Sequence, residues 1–113
     1  MNERKQLGKI QKATFGHGGY QDACIGINFT LGGESWGVGT GMTAWDANMI
    51  KHSEHCKWTE ADRDAEYVKI IRYVYDLLKD AKVSDVSRLV GIPIEATFDG
   101  QMLKEWRILK EVL

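Results

Sequence analysis

Ile25, Ile27, Phe29 and Leu31 alternate with Gly26, Asn28 and Thr30. That two-residue period predicts a strand with one face in a core. Gly32-Gly33-Glu34-Ser35 then reads as a hairpin connection, and Trp36 to about Gly39 as the returning strand. Upstream, Gly8 to Phe15 predicts a further strand, joined to the Ile25 strand through Gly16-His17-Gly18-Gly19. No firm period runs through Thr40 to Lys57. This segment reads as an irregular excursion, with Trp45 and Met49 tucking it down.

From Thr59 the period changes. Thr59-Glu60-Ala61-Asp62 matches a capping box. Behind it, Tyr67, Val68, Ile71, Val74, Tyr75 and Leu78 fall at helical spacing and predict one apolar face. Early acidic residues, with Lys79 and Lys82 at the end, suit the helix dipole. Ser84 to Leu89 predicts a short second helix, stopped by Gly91 and Pro93. Ile94, Ala96 and Phe98 resume the strand alternation and run into Asp99-Gly100, a strong hairpin signal. The tail from Leu103 fits both periods; it is assigned as a strand because the Asp-Gly turn needs a partner for the Ile94 strand. The expected fold is α+β. One domain over residues 1–113 carries an antiparallel sheet of about five strands, one long helix and one short helix, in the order βββααββ.

Length and charge narrow the function. At 113 residues the chain fits a single domain. Lys and Arg number 15 against 16 Asp and Glu, with no basic half. Wrapping of DNA or RNA through phosphates is therefore disfavoured, whereas a small anion needs only one or two arginines and some N–H groups. No apolar run is long enough to span a bilayer, and the first dozen residues lack a signal-peptide core. Two cysteines, Cys24 and Cys56, make no disulfide framework, which suits a reducing cytoplasm.

Ten of the twelve glycines lie between Gly8 and Gly41, and the candidate chemistry starts among them. Phe15-Gly16-His17-Gly18-Gly19-Tyr20 joins two expected strands. Its N–H groups could form an anion-binding nest flanked by flat rings, or the segment could be a plain Gly-rich hairpin loop. Trp36-Gly37-Val38-Gly39-Thr40-Gly41 lacks the G-x-G-x-x-G spacing and the following helix of a dinucleotide fingerprint. His52, His55 and Cys56, with Cys24 as an imagined fourth ligand, raise zinc, but only one cluster exists where structural sites show two; no metal and no cofactor are expected. No nucleophile, base and orienting group stand in a recognisable signature, so no enzyme is expected. Arg63, in the first turn of the long helix, and Arg107, between Trp106 and Ile108, are the cations best suited to phosphate oxygens.

Five segments together resemble a known family. They are Phe15-Gly16-His17-Gly18-Gly19-Tyr20-Gln21-Asp22-Ala23; Gly33 with Trp36-Gly37-Val38-Gly39; Lys57-Trp58-Thr59-Glu60-Ala61-Asp62-Arg63; Leu77-Leu78-Lys79-Asp80-Ala81-Lys82-Val83; and Trp106-Arg107-Ile108-Leu109-Lys110-Glu111-Val112-Leu113. Over nearly the whole chain the pattern is similar to the phage Thoeris anti-defence protein 1 family. The resemblance implies a sponge. Such proteins bind cyclic ADP-ribose isomers made by bacterial TIR-domain proteins and withhold them from an effector without degrading them. It also implies a homo-oligomer, a dimer or larger, with ligand sites near the subunit contact and some members also holding cyclic oligonucleotides, in the cytoplasm of a bacterial host. Ligand-binding residues chosen on chemistry within the matching segments are Phe15, His17, Gly18, Gly19, Tyr20, Trp36, Arg63 and Arg107. The alternative is a protein-binding inhibitor module that docks on a host protein through exposed aromatic residues.

Overall fold

The computed structural model describes residues 3–18, 24–45 and 59–113. Five strands and one long helix form an α+β layer: β1 (Glu3–Gly18), β2 (Cys24–Gly32), β3 (Gly37–Trp45), α1 (Glu60–Ala81), β4 (Pro93–Asp99) and β5 (Met102–Ile108). All pairings are antiparallel, and the sheet order is β3-β2-β1-β4-β5.

β1 is longer than its hydrophobic pattern suggests because it serves two partners in turn. Glu3 to Lys9 pair with β4, and Lys9 to Gly18 pair with β2. Just inside the second stretch the register with β2 slips, leaving Gln11 as an extra residue between Ile10 and Lys12. A bulge of this kind bends the strand and shifts its alternation by one. Before it, Gly8 and Ile10 face inward; after it, Ala13 and Phe15 do. Ile92 closes the bend by accepting from the Ile10 N–H at 3.0 Å, and the Gly91 N–H donates to the Ile10 carbonyl at 2.7 Å.

The bent sheet curls around a core of Ile10, Ile27, Phe29, Leu31, Ile94, Ala96, Phe98 and Ile108, with Leu89 and Ala81 beside it. Phe29 on β2 meets Trp106 on β5 edge to face, with centroids 5.3 Å apart, and meets Tyr73 of α1 at 6.5 Å. Burial holds the Tyr73 phenol above its ordinary range, partly offset by a hydrogen bond with Trp106.

α1 begins where its capping box predicts. The Asp62 N–H donates to Thr59 Oγ1 at 3.2 Å, and the Thr59 N–H donates to Asp62 Oδ2 at 2.9 Å. Its buried side is Ile70, Tyr73, Val74, Leu77, Leu78 and Ala81. Val68, Ile71 and Tyr75, expected to share that face, are 53%, 60% and 62% exposed. The apolar arc of the helix is wider than the sheet can cover.

Four details refine the expected layout. β3 continues past Gly39 to Trp45, so Thr40 to Trp45 is strand and not an excursion; residues 46–58, including Met49, lie outside the described residues. Gly16, His17 and Gly18 belong to β1 rather than to a loop. The short second helix is a single 3₁₀ turn, Val86–Leu89, capped by Asp85. The tail is a strand only to Ile108, followed by a 3₁₀ turn at Lys110–Val112.

Candidate functional site

α1 crosses the sheet so that Tyr67, Ile70 and Ile71, in its second and third turns, stand over the ends of β1 and β2. Phe15, Ile25, Gly26, Tyr67, Ile70 and Ile71 line a cleft there of about 140 Å³ with apolar walls. Phe15 is the inward side chain at that end of β1, and the β1–β2 register sets it opposite Ile27. Four residues before Tyr67, one helical turn away, Arg63 lays its guanidinium over the Tyr67 ring, 5.6 Å from the centroid. The Arg63 side chain is 21% exposed and forms an ion pair with Glu60 through one terminal nitrogen. Its Nε–H is buried and has no hydrogen-bond partner among the described residues. A guanidinium donor left unpaired inside the protein is costly. An anion reaching that nitrogen would satisfy it and would gain a charge-assisted bond.

Phe15 and Arg63, two of the residues expected to bind ligand, therefore share one neighbourhood, and Tyr67 joins them. From sequence, Tyr67 reads as core; its spacing of four from Arg63 on a helix is the signal that places it beneath the guanidinium. His17 lies two residues beyond Phe15, with Gly18 at the strand end beside Cys24 in register. Gly19 and Tyr20 lie outside the described residues, as do His52, His55 and Cys56. Among the described residues no group of three His, Cys, Asp or Glu stands close enough to hold a metal ion, and no helix is long and apolar enough to cross a membrane.

The structure sets Trp36 apart from this cleft. Its indole packs against the core edge-on to Phe98, with centroids 5.3 Å apart. The ring fits because Gly33 and Gly8 have no side chains: a methyl group at Gly8 would lie 2.7 Å from its Cζ2. Arg107 is remote as well. Trp106 faces the core, so Arg107 points from the opposite face of the sheet, as strand alternation requires. There it makes a two-pronged pair with Glu111, at 3.1 and 2.9 Å, and a third bond to Glu95 at 3.2 Å. These carboxylates hold the guanidinium above its ordinary range, and Arg107 in turn pushes the Glu111 carboxyl down to about 2. Within one chain, Arg63 and Arg107 cannot grip the same pyrophosphate.

A broader groove of about 660 Å³ runs along the bend of β1, lined by Leu7, Lys9, Gln11, Glu34, Val90 and neighbouring glycines. Its rim carries one lysine and one glutamate, so it has no net preference for an anion. Comparison of the chain with protein-family models, curated proteins and solved structures finds no match.

Proposed function

We propose that the protein is a non-catalytic sponge for a cyclic ADP-ribose-type nucleotide signal made by bacterial immune TIR-domain systems, acting as a homo-oligomer in the host cytoplasm. One observation carries this reading: the Nε of Arg63, unpartnered among the described residues, beside an apolar cleft walled by Phe15 and Tyr67. A flat adenine ring suits the cleft, with stacking contributing roughly 1–3 kcal/mol by analogy with bases held on aromatic side chains. A pyrophosphate oxygen suits the guanidinium. Nothing in this arrangement calls for a nucleophile or a general base, as sequestration needs only affinity and slow release.

The cleft also says how the ligand would be held. At about 140 Å³ it is smaller than the roughly 300–1,000 Å³ of pockets that bury a whole small molecule. One chain therefore accommodates a ring and leaves the rest of a cyclic dinucleotide uncovered, and a second copy closes the site.

Calorimetry with a panel of cyclic ADP-ribose isomers and cyclic oligonucleotides tests the proposal. The expected result is micromolar or tighter binding to at least one isomer, with unaltered nucleotide recovered after heat denaturation of the saturated protein. Absence of binding across the panel overturns it, and recovery of a hydrolysed nucleotide makes the protein an enzyme. The alternative, a protein-binding inhibitor module, is favoured by the exposed Val68, Ile71 and Tyr75 and expects no ligand-dependent rise in melting temperature.

A further inference from the structure

We infer that two copies of the chain join through the free edge of β3, making one continuous sheet with the two α1 helices side by side and antiparallel on its inner face. This deepens the oligomeric part of the reading above but stands on strand and helix chemistry alone.

The two edges of the sheet are built differently. β5 carries Lys104, Glu105 and Arg107, and its register slips opposite Thr97 and Phe98. Charges and bulges are the devices that keep edge strands from pairing with other chains. β3, Gly37-Val38-Gly39-Thr40-Gly41-Met42-Thr43-Ala44-Trp45, has no charge and no proline, and it pairs with β2 over nine residues without a slip. Its other side has no strand neighbour among the described residues.

The strand is also complementary to itself. With Gly41 on a two-fold axis, Val38 faces Ala44 of a second copy and Thr40 faces its Met42, all on the inner face. On the outer face Gly39 faces Thr43, and Gly37 faces Trp45. The Trp45 indole is 50% exposed, and Gly37 offers a bare backbone for it to lie on. Gly37 and Gly39 are not needed by their own chain: a methyl group there would come no closer than 3.7 and 3.9 Å to any neighbour. Flatness at these two positions is explained by something placed against them.

The helix supplies an independent argument. Of the five strands, α1 packs most closely on β3, so joining two β3 edges brings the two helices together across the axis. The exposed stripe of Val68, Ile71 and Tyr75 then meets its own copy. The axis runs perpendicular to the sheet and makes the helices antiparallel. Acidic residues at the start of one, Asp62 and Asp64, therefore lie toward Lys79 and Lys82 at the end of the other.

Light scattering on the full chain without ligand, together with engineered cysteines, tests the interface. Wild type is expected to run at an even multiple of the chain mass. Gly37→Lys/Gly39→Lys, and separately Tyr75→Asp, should halve that mass while the melting curve stays cooperative. Gly39→Cys/Thr43→Cys should form a disulfide-linked dimer on mild oxidation, whereas each single cysteine variant matches wild type. A monomeric wild type, a folded double-lysine variant of unchanged mass, or cross-linking no greater in the double cysteine variant than in the singles would overturn the inference. Mass is read without nucleotide, so failure here is distinct from failure of calorimetry, which bears on the sponge alone.

Discussion

The Phe29 ring meets Trp106 edge-on, although two strands stand between β2 and β5 in the sheet. Such a contact exists only because the sheet is curled, and Phe29 in turn meets the Tyr73 ring of α1. Trp106→Ala removes the ring that joins the two ends of the curl to the helix. The expected loss is about 3 kcal/mol of unfolding free energy, the lower end for a large aromatic residue, because Trp106 is only partly buried. Denaturant titration checks it; a loss below about 1 kcal/mol would mean the curl does not depend on this ring.

Arg63→Gln should weaken nucleotide binding by roughly 10–100-fold, the worth of one charge-assisted contact. It should leave folding stability nearly unchanged, since the wild-type Nε has no partner among the described residues. Arg107→Ala, from the opposite face, should leave the affinity close to wild type, because that guanidinium is committed to Glu95 and Glu111. Calorimetry of both variants beside wild type distinguishes the two arginines. If Arg107→Ala lost the larger share, the ligand would sit on the other side of the sheet.

Gly33→Ala should destabilise by about 1–3 kcal/mol through overpacking. The added methyl group would collide with the Trp36 indole and lie 2.7 Å from the Leu7 carbonyl. Gly16→Ala, with nothing within 4 Å, should stay within about 0.5 kcal/mol of wild type. Paired thermal melts read the difference.

The Arg107–Glu111 pair makes an acid-side prediction. Pairing with Arg107 lowers the Glu111 carboxyl from 4.5 to about 2 in the folded protein. A depressed carboxylate stabilises the fold fully above the unfolded value and loses that contribution as pH falls through the folded one. The contribution should therefore fade between about pH 4.5 and 2. Carbon-detected NMR titration should place the Glu111 midpoint near 2, and Arg107→Ala should move it back toward 4.5.

Much of this fold is written locally. The capping box at Thr59 and the Asp99-Gly100 turn satisfy backbone groups within a few residues, and the alternation of Ile25 to Leu31 records one strand with one buried face, so sequence shows them directly. β3 past Gly39 escaped because Gly39, Gly41 and Thr43 face outward without charge, and an uncharged outer face leaves no polar beat to detect. The helix face was mistaken because Val68, Ile71 and Tyr75 are as apolar as the buried positions beside them, and only the width of the sheet decides which are covered. The site was legible in part. Phe15 and Arg63 were expected as ligand contacts, yet only tertiary packing sets them beside one cleft and lays Trp36 against the core.

The slip at Gln11 has an evolutionary consequence. Deleting that residue would let Lys12 follow Ile10 in an unbroken ladder, with Ala13 and Phe15 still opposite Phe29 and Ile27, so only the bend would be lost; a residue added or removed elsewhere in the strand would turn over every side chain beyond it. Length changes should therefore be tolerated at exposed Gln11 far better than anywhere else in β1.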